Sequence, residues 1–263
     1  MVWQTIVVEK RGSAAWIILN RPQELNAISP LLIAELGDVL NTLEQDSQVG
    51  SLVITGAGRA FCAGADLKFV ATIPAAQREE ATAAFLATAT LLMSRLESFP
   101  KPVIAAVNGI ATAGGMELVL CCDLVVATES ARLGDGHANF GLLPGAGGSV
   151  RLTRKIGVTR AKYLFFTGEL ASAAEMAAAG LVNRIVPDAD LAGAVARLVG
   201  QLAGKSSLGL RRMKELANAA IDLSLEEGLQ FEQSVNAEHS TSFDRNEGLA
   251  AFSEGRKPLF KGR

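Results

Sequence analysis

The sequence predicts an α/β fold with parallel strand pairing, and three observations carry that expectation. Short runs rich in valine and isoleucine recur at 6–8, 16–19, 52–55, 103–107 and 124–127. They are near-continuous rather than alternating, the mark of strands buried on both faces. Stretches with helical spacing fall between them, at 30–43 and 77–96, with a short one opening near Gly114. Strand, helix, strand in repetition is the pattern of crossover connections and a parallel sheet.

Beyond Pro187 the character changes. Residues 191–203, 206–223 and 225–241 all carry helical spacing with few strand signals. The chain is therefore expected to divide into a mixed core, 1–195, and a helical region, 196–263. No exact repeat or low-complexity tract is visible.

Composition narrows the function classes. The 263 residues carry 25 Lys+Arg against 27 Asp+Glu, a net charge of −2, and 49% of them are hydrophobic. So apolar and so weakly charged a chain is not disordered. Nor does it have the basic excess of a nucleic-acid binder, so no nucleic-acid partner is expected. Three cysteines, Cys62, Cys121 and Cys122, make no even disulfide framework. With His137 and His239 the only histidines, no metal site is expected. The N-terminus has charges at Glu9, Lys10 and Arg11 and no long apolar stretch, unlike a signal or transit peptide. Longer apolar runs are interrupted by Asn108, Glu117 and Asp123, so no membrane span is expected. The reading is a soluble cytoplasmic protein with reduced, buried thiols.

Two glycine motifs mislead. Gly56-x-Gly58 follows a strand like a dinucleotide fingerprint, but Phe61 holds the third glycine position and no helix clearly opens there. The run from Gly200 to Ser206 is one residue short of a phosphate-binding loop and lies between helical segments, where it reads as a helix–helix turn. The segment from Lys101 to Leu118 is more informative: a strand, a turn at Asn108-Gly109, then Gly114-Gly115 opening an apolar helix. The first N–H groups of a helix lack internal partners, and glycine lets a ligand oxygen approach them. Glu117, in that first turn, is a carboxylate beside an oxyanion-binding backbone, which suits proton transfer next to a carbonyl. The alternative is that Glu117 only complements the helix dipole. Two further glycine clusters, 59–67 and 134–148, follow a strand and precede a helix.

These motifs together resemble the crotonase superfamily, also called enoyl-CoA hydratase/isomerase. The resemblance runs nearly end to end through Asn20-Arg-Pro and Asn26-Ala27, Ala60-Phe-x-Ala-Gly-Ala-Asp-Leu67, and Asn108-Gly with Gly114-Gly-Met-Glu-Leu118. It continues through Cys122-Asp123, Pro144-Gly-Ala-Gly-Gly148, Ala178-Ala-Gly-Leu-Val182 and Glu247-Gly to Arg256-Lys-Pro-x-Phe260. It implies a crotonase-like spiral of repeated ββα units with a C-terminal helical trimerisation region, giving homotrimers or hexamers. It also implies acyl-CoA thioester substrates, with CoA part of the substrate and no separate cofactor. By motif position, Ala65 and Gly114 would supply the two N–H groups that hold the thioester oxygen as it becomes an enolate. Substrate and CoA contacts would fall at Ala27, Ala63, Asp66, Leu67 and Gly145. The terminal stretch with Lys257, Phe260 and Lys261 resembles the part that reaches a neighbouring subunit's CoA.

One departure stands out. Typical hydratases carry a second glutamate in a Gly-x-Pro-Glu run before Pro-Gly-Ala-Gly-Gly; here the run is Gly134-Asp-Gly-His, with His137 in the glutamate's place. Imidazole titrates near neutrality and can donate or accept a proton. Asp135, two residues away, would share a face with His137 if the segment is extended. It is placed to orient the ring or to be the second acid itself; the plainer reading is that it caps the loop and faces solvent. The expected function is an enoyl-CoA hydratase-like lyase with Glu117, His137 and Asp135 as catalytic candidates. Isomerisation, thioester hydrolysis and a non-catalytic CoA-binding role remain the alternatives, since one scaffold of this kind runs many reactions.

Overall fold

The computed structural model describes residues 3–263. Its first half is wound as strand, strand, helix. The chain enters through β1 (Ile6–Arg11), β2 (Ala14–Leu19) and α1 (Pro30–Gln45). Three turns follow: β3 (Ser51–Gly56), β4 (Ala60–Cys62), α2 (Leu67–Thr72) and α3 (Ala75–Glu97); β5 (Val103–Val107), β6 (Ile110–Thr112) and α4 (Gly114–Leu120); β7 (Leu124–Thr128), β8 (Arg132–Gly134) and α5 (Gly148–Ile156). The first strand of each turn joins one sheet and the second joins another. The six-stranded sheet has the order β1-β2-β3-β5-β7-β10 and the four-stranded sheet β4-β6-β8-β9. Between them the chain adds α6 (Val158–Thr167), β9 (Leu170–Ser172), α7 (Ala173–Ala178) and β10 (Arg184–Val186). This is the expected spiral of ββα units.

The larger sheet is parallel from β2 to β10, as expected. Its edge differs: β1 pairs antiparallel with β2, and Val7 is 37% exposed. The helix layer that covers Trp16 and Val53 includes no β1 residue, so 6–8 is not buried on both faces as its apolar run implied. Within β2, β3, β5 and β7, neighbouring residues serve opposite cores. Ile17, Leu52, Ile54 and Ala105 face α1, α3 and the second sheet. Trp16, Val53, Ile104 and Val126 face α8 (Leu191–Ala203), whose Leu191, Ala194, Val195 and Val199 cover them. Apolar matter on both sides is why these strands show no alternation.

The expected division at 195/196 falls inside α8, which closes the outer face of the large sheet. The helix–helix turn read at Gly200 to Ser206 is confined to Gly204–Ser206, since Gly200 lies inside α8; the Ser206 hydroxyl accepts from Gly209 N. The helical region consists of α9 (Ser207–Ala219), α10 (Leu225–His239) and α11 (Phe243–Glu254). Lys214 Nζ, 2.8 Å from Asp123 Oδ2, ties α9 to the core. Asp123 also accepts from Val103 N, at the first residue of β5. Among the described residues, no helix is long and apolar enough to cross a membrane.

Candidate active site

The second strands of the spiral end at one place. After β4, Ile28 N donates to Gly64 O and Asp66 N donates to Ile28 O. That parallel bridge turns the Ala65 N–H the other way, toward the end of β6. There Ala113 takes φ 49° and ψ −121°, a conformation that costs a side-chain-bearing residue about 1–3 kcal/mol and collects at functional sites. It swings the chain into α4 at Gly114. Neither Ala65 N nor Gly114 N donates to an acceptor among the described residues. The two strands approach closely: a Cβ on Gly64 would lie 3.1 Å from Gly114 N, and one on Gly114 would lie 3.5 Å from Ala65 N. Two free amide donors therefore stand side by side.

Glu117 follows in the first turn of α4 and is buried, 3% exposed. Its Oε1 accepts from Ala146 N and Gly148 N, each at 2.8 Å, while Oε2 has no partner among the described residues. The carboxylate thus belongs to the 144–148 loop, not to its own helix end, so dipole complementation does not account for it. Gly148 must be small for this: a Cβ there would come within 3.0 Å of Glu117 Cγ and Oε1. Burial pushes the Glu117 pKa above the ordinary carboxylate value, and the Gly148 and Ala146 N–H groups only partly oppose it.

His137 and Asp135 form a closed pair. Asp135 is 2% exposed, and its two oxygens lie 2.9 and 3.0 Å from His137 Nδ1. The His137 backbone N–H also donates to Asp135 Oδ1, at 3.0 Å. The segment is therefore a tight turn leading into a short 3-10 helix, His137–Phe140, and not extended as the shared-face argument supposed. The result is the same contact by a different route, and Asp135 does not face solvent. Burial alone would depress the imidazolium, but the Asp135 hydrogen bond and charge outweigh it and raise the His137 pKa. With Nδ1–H held by the carboxylate, Nε2 is left without a partner among the described residues.

A cavity of about 200 Å³ adjoins these groups, lined by Ala63, Ala65, Leu67, Ala113, His137 and Phe140 among others; Gly114, Glu117 and Asp135 stand behind its wall. The remaining expected contacts divide. Ala27 is buried, and its carbonyl accepts from Arg21 Nη1. The Asp66 carboxylate caps α2 through Phe69 N and pairs with Arg21 at 2.7 Å. Gly145 packs under Leu86, and its carbonyl accepts from Thr90. Lys257, Phe260 and Lys261 do not line this cavity. Their stretch is fixed instead by Asp244, 1% exposed, which accepts from Lys261 N and Gly262 N. Sequence reasoning missed Asp244, Arg21 and Arg151; only Arg21 lay inside a quoted motif.

The cysteines are free and buried. Burial pushes the Cys62 and Cys121 thiols up to about 12, which removes them as nucleophiles. Among the described residues, no three His, Cys, Asp or Glu side chains gather where they could hold a metal ion.

A two-sheet spiral that sets paired amide donors near a buried carboxylate and a histidine–aspartate pair defines an acid–base enzyme of the crotonase type. The chain belongs to the enoyl-CoA hydratase/isomerase family, whose model matches residues 9–263. It is 40% identical, over the full length of both chains, to a probable enoyl-CoA hydratase of Mycobacterium tuberculosis. Identity to a crotonyl-CoA hydratase of Syntrophomonas wolfei is 34%, over 99% of each chain. The crystal structure of an enoyl-CoA hydratase from Bacillus anthracis superposes with a TM-score of 0.93 at 39% identity, covering 99% of this chain and all of that one.

Proposed function

We propose that the protein adds water reversibly to a 2-enoyl-CoA thioester. The observation that carries this is the adjacency of the Ala65 and Gly114 N–H groups, with Glu117 in the first turn from Gly114 and close enough to His137 and Asp135 to feel their charges, and with Ala65 and His137 lining one cavity. The thioester oxygen accepts from the two amides, so negative charge developing on it meets fixed donors that need no reorganisation. Glu117 takes a proton from water, whose oxygen attacks the β carbon. The resulting enolate collects a proton at its α carbon from Nε2 of the His137 imidazolium, whose Nδ1–H Asp135 holds. Water is thereby divided across the double bond, and proton exchange restores Glu117 and His137. No metal or nicotinamide is required.

The test is turnover of a panel of enoyl- and 3-hydroxyacyl-CoA thioesters by protein that has been chelated and desalted, with product identity determined. Hydration is the expected result. A shifted double bond or a free acid as the sole product would replace this reading with isomerisation or thioester hydrolysis. No turnover would leave a CoA-binding role.

The working form has Glu117 ionised and His137 protonated. Acid inactivates by protonating Glu117 and base by deprotonating His137, so kcat/KM should be bell-shaped. Because both pKa values are raised, the acid limb should lie above the ordinary carboxylate range and the alkaline limb above the ordinary histidine value. A flat alkaline side would remove His137 from the proton relay.

The same proposal includes self-assembly into trimers, or hexamers built from them. The helical region supports it: Met213 is 67% exposed, Leu225 81% and Phe252 88%, apolar surface that gains about 25 cal/mol per Å² when covered. Light scattering at micromolar concentration should give three or six chains, and a stable monomer would overturn the assignment. Three buried, unpaired cysteines suit a reducing compartment and support the cytoplasm as its location.

A further inference from the structure

We infer that Arg151 is a positioning residue for Glu117, braced in turn by Glu97; the inference rests on Glu117 being the base of the proposed reaction. Arg151 Nε and Nη2 lie 3.0 and 2.8 Å from Glu97 Oε2, on the last residue of α3. Nη1 of the same guanidinium donates to the carbonyl oxygen of Ala146, at 2.9 Å. Ala146 is also the residue whose N–H, with that of Gly148, holds Glu117 Oε1. The arginine thus fixes from one side the loop that grips the carboxylate from the other. Its side chain is only 14% exposed, and a planar fork bound on two edges has little freedom to move.

Gly147 is shaped around this contact. Its φ is 100°, and a Cβ on it would lie 2.0 Å from Arg151 Nη1. One glycine of the Gly147-Gly148 pair therefore makes room for the arginine and the other for the glutamate. With Oε1 anchored by two amides, Oε2 is left aimed by the loop, and a misplacement of about 1 Å at such a group can cost on the order of a hundredfold in rate. The titratable groups around Glu117 are His137, Asp135 and Arg151, and those around Arg151 are Glu97, Glu117 and the Cys121 thiol.

The experiment compares kcat, KM and the pH profile of Arg151→Met, Arg151→Lys, Glu97→Gln and Glu117→Gln, with thermal melting to show that each variant is folded. Arg151→Met is expected to lower kcat roughly tenfold to a hundredfold with little change in KM. Its acid limb should move to higher pH, because the carboxylate loses well-placed donors and a nearby cation. Arg151→Lys keeps the cation but not the fork, and should recover only part of kcat. Glu97→Gln separates bracing from charge: it leaves the arginine charged and removes an anion, yet should lower kcat in the same direction as Arg151→Met. If Glu97→Gln and Arg151→Lys both retain full turnover, Arg151 acts by charge alone and the brace is overturned. A folded Arg151→Met with unchanged kcat and acid limb overturns it as well. Should Arg151→Met not fold, Glu97→Gln and Arg151→Lys decide. Glu117→Gln distinguishes the two levels: if it is fully active, the base assignment fails and takes the brace with it. If it is inactive while the Arg151 variants keep the parent's full kcat, the brace fails alone.

Discussion

Glu117→Gln is expected to lower turnover at least about a hundredfold, the usual scale for losing a positioned general base, while binding of the CoA thioester survives. Glutamine keeps the length and planar shape of the side chain, so its amide oxygen can still accept from Ala146 N and Gly148 N. It also removes a buried charge, so the variant should fold at least as well as the parent. What it lacks is a lone pair basic enough to take a proton from water. Rapid-quench turnover beside equilibrium binding of a saturated acyl-CoA reads the two effects separately. Near-normal turnover would mean that the buried glutamate serves the loop and not the reaction.

His137→Ala should cut turnover by roughly a hundredfold and remove the alkaline limb of the pH profile. The variant also leaves buried Asp135, 2% exposed, with only the residue-137 backbone N–H as a partner, so some loss of thermal stability should accompany it. Asp135→Asn is the milder probe. It keeps the ring in place but withdraws the charge that raises the His137 pKa, so the alkaline limb should move to lower pH. His137→Glu puts a second carboxylate beside Asp135. Like charges that close share a proton between them, and the protonated member can then supply the α carbon. Hydration of a simple 2-enoyl-CoA should be kept or raised. If His137→Ala instead leaves every activity and the pH profile unchanged, His137 is a bystander and Glu117 or Asp135 alone must manage the protons.

Much of this was legible in the chain itself. The continuous apolar runs at 16–19, 52–55, 103–107 and 124–127 could be read as two-sided strands because each is buried against a helix layer on one face and the main core on the other. The helix at 30–43 was legible for a related reason. Pro30 opens it, and Leu32, Ile33, Leu36, Val39, Leu40 and Leu43 repeat with the helical period on one buried face. The second sheet was not legible. Strands β4, β6, β8 and β9 have three residues each, too few to show a period, and they are strands only because the spiral stacks them.

The site divides along the same line. The order of glycine clusters, Glu117 in a helix's first turn and a histidine in the second glutamate's position are properties of the sequence, and they sufficed to name the candidates. Only the tertiary structure decided what each group touches. It drew Asp66 away to Arg21, turned Asp135 inward onto His137, and set Arg151 against the loop that holds Glu117. Local sequence fixes which residue types a segment carries and how far apart they stand. Hydrogen-bond partners 29 and 31 residues apart, as Glu117 is from Ala146 and Gly148, are chosen by how the turns of the spiral pack. No local spacing encodes that choice.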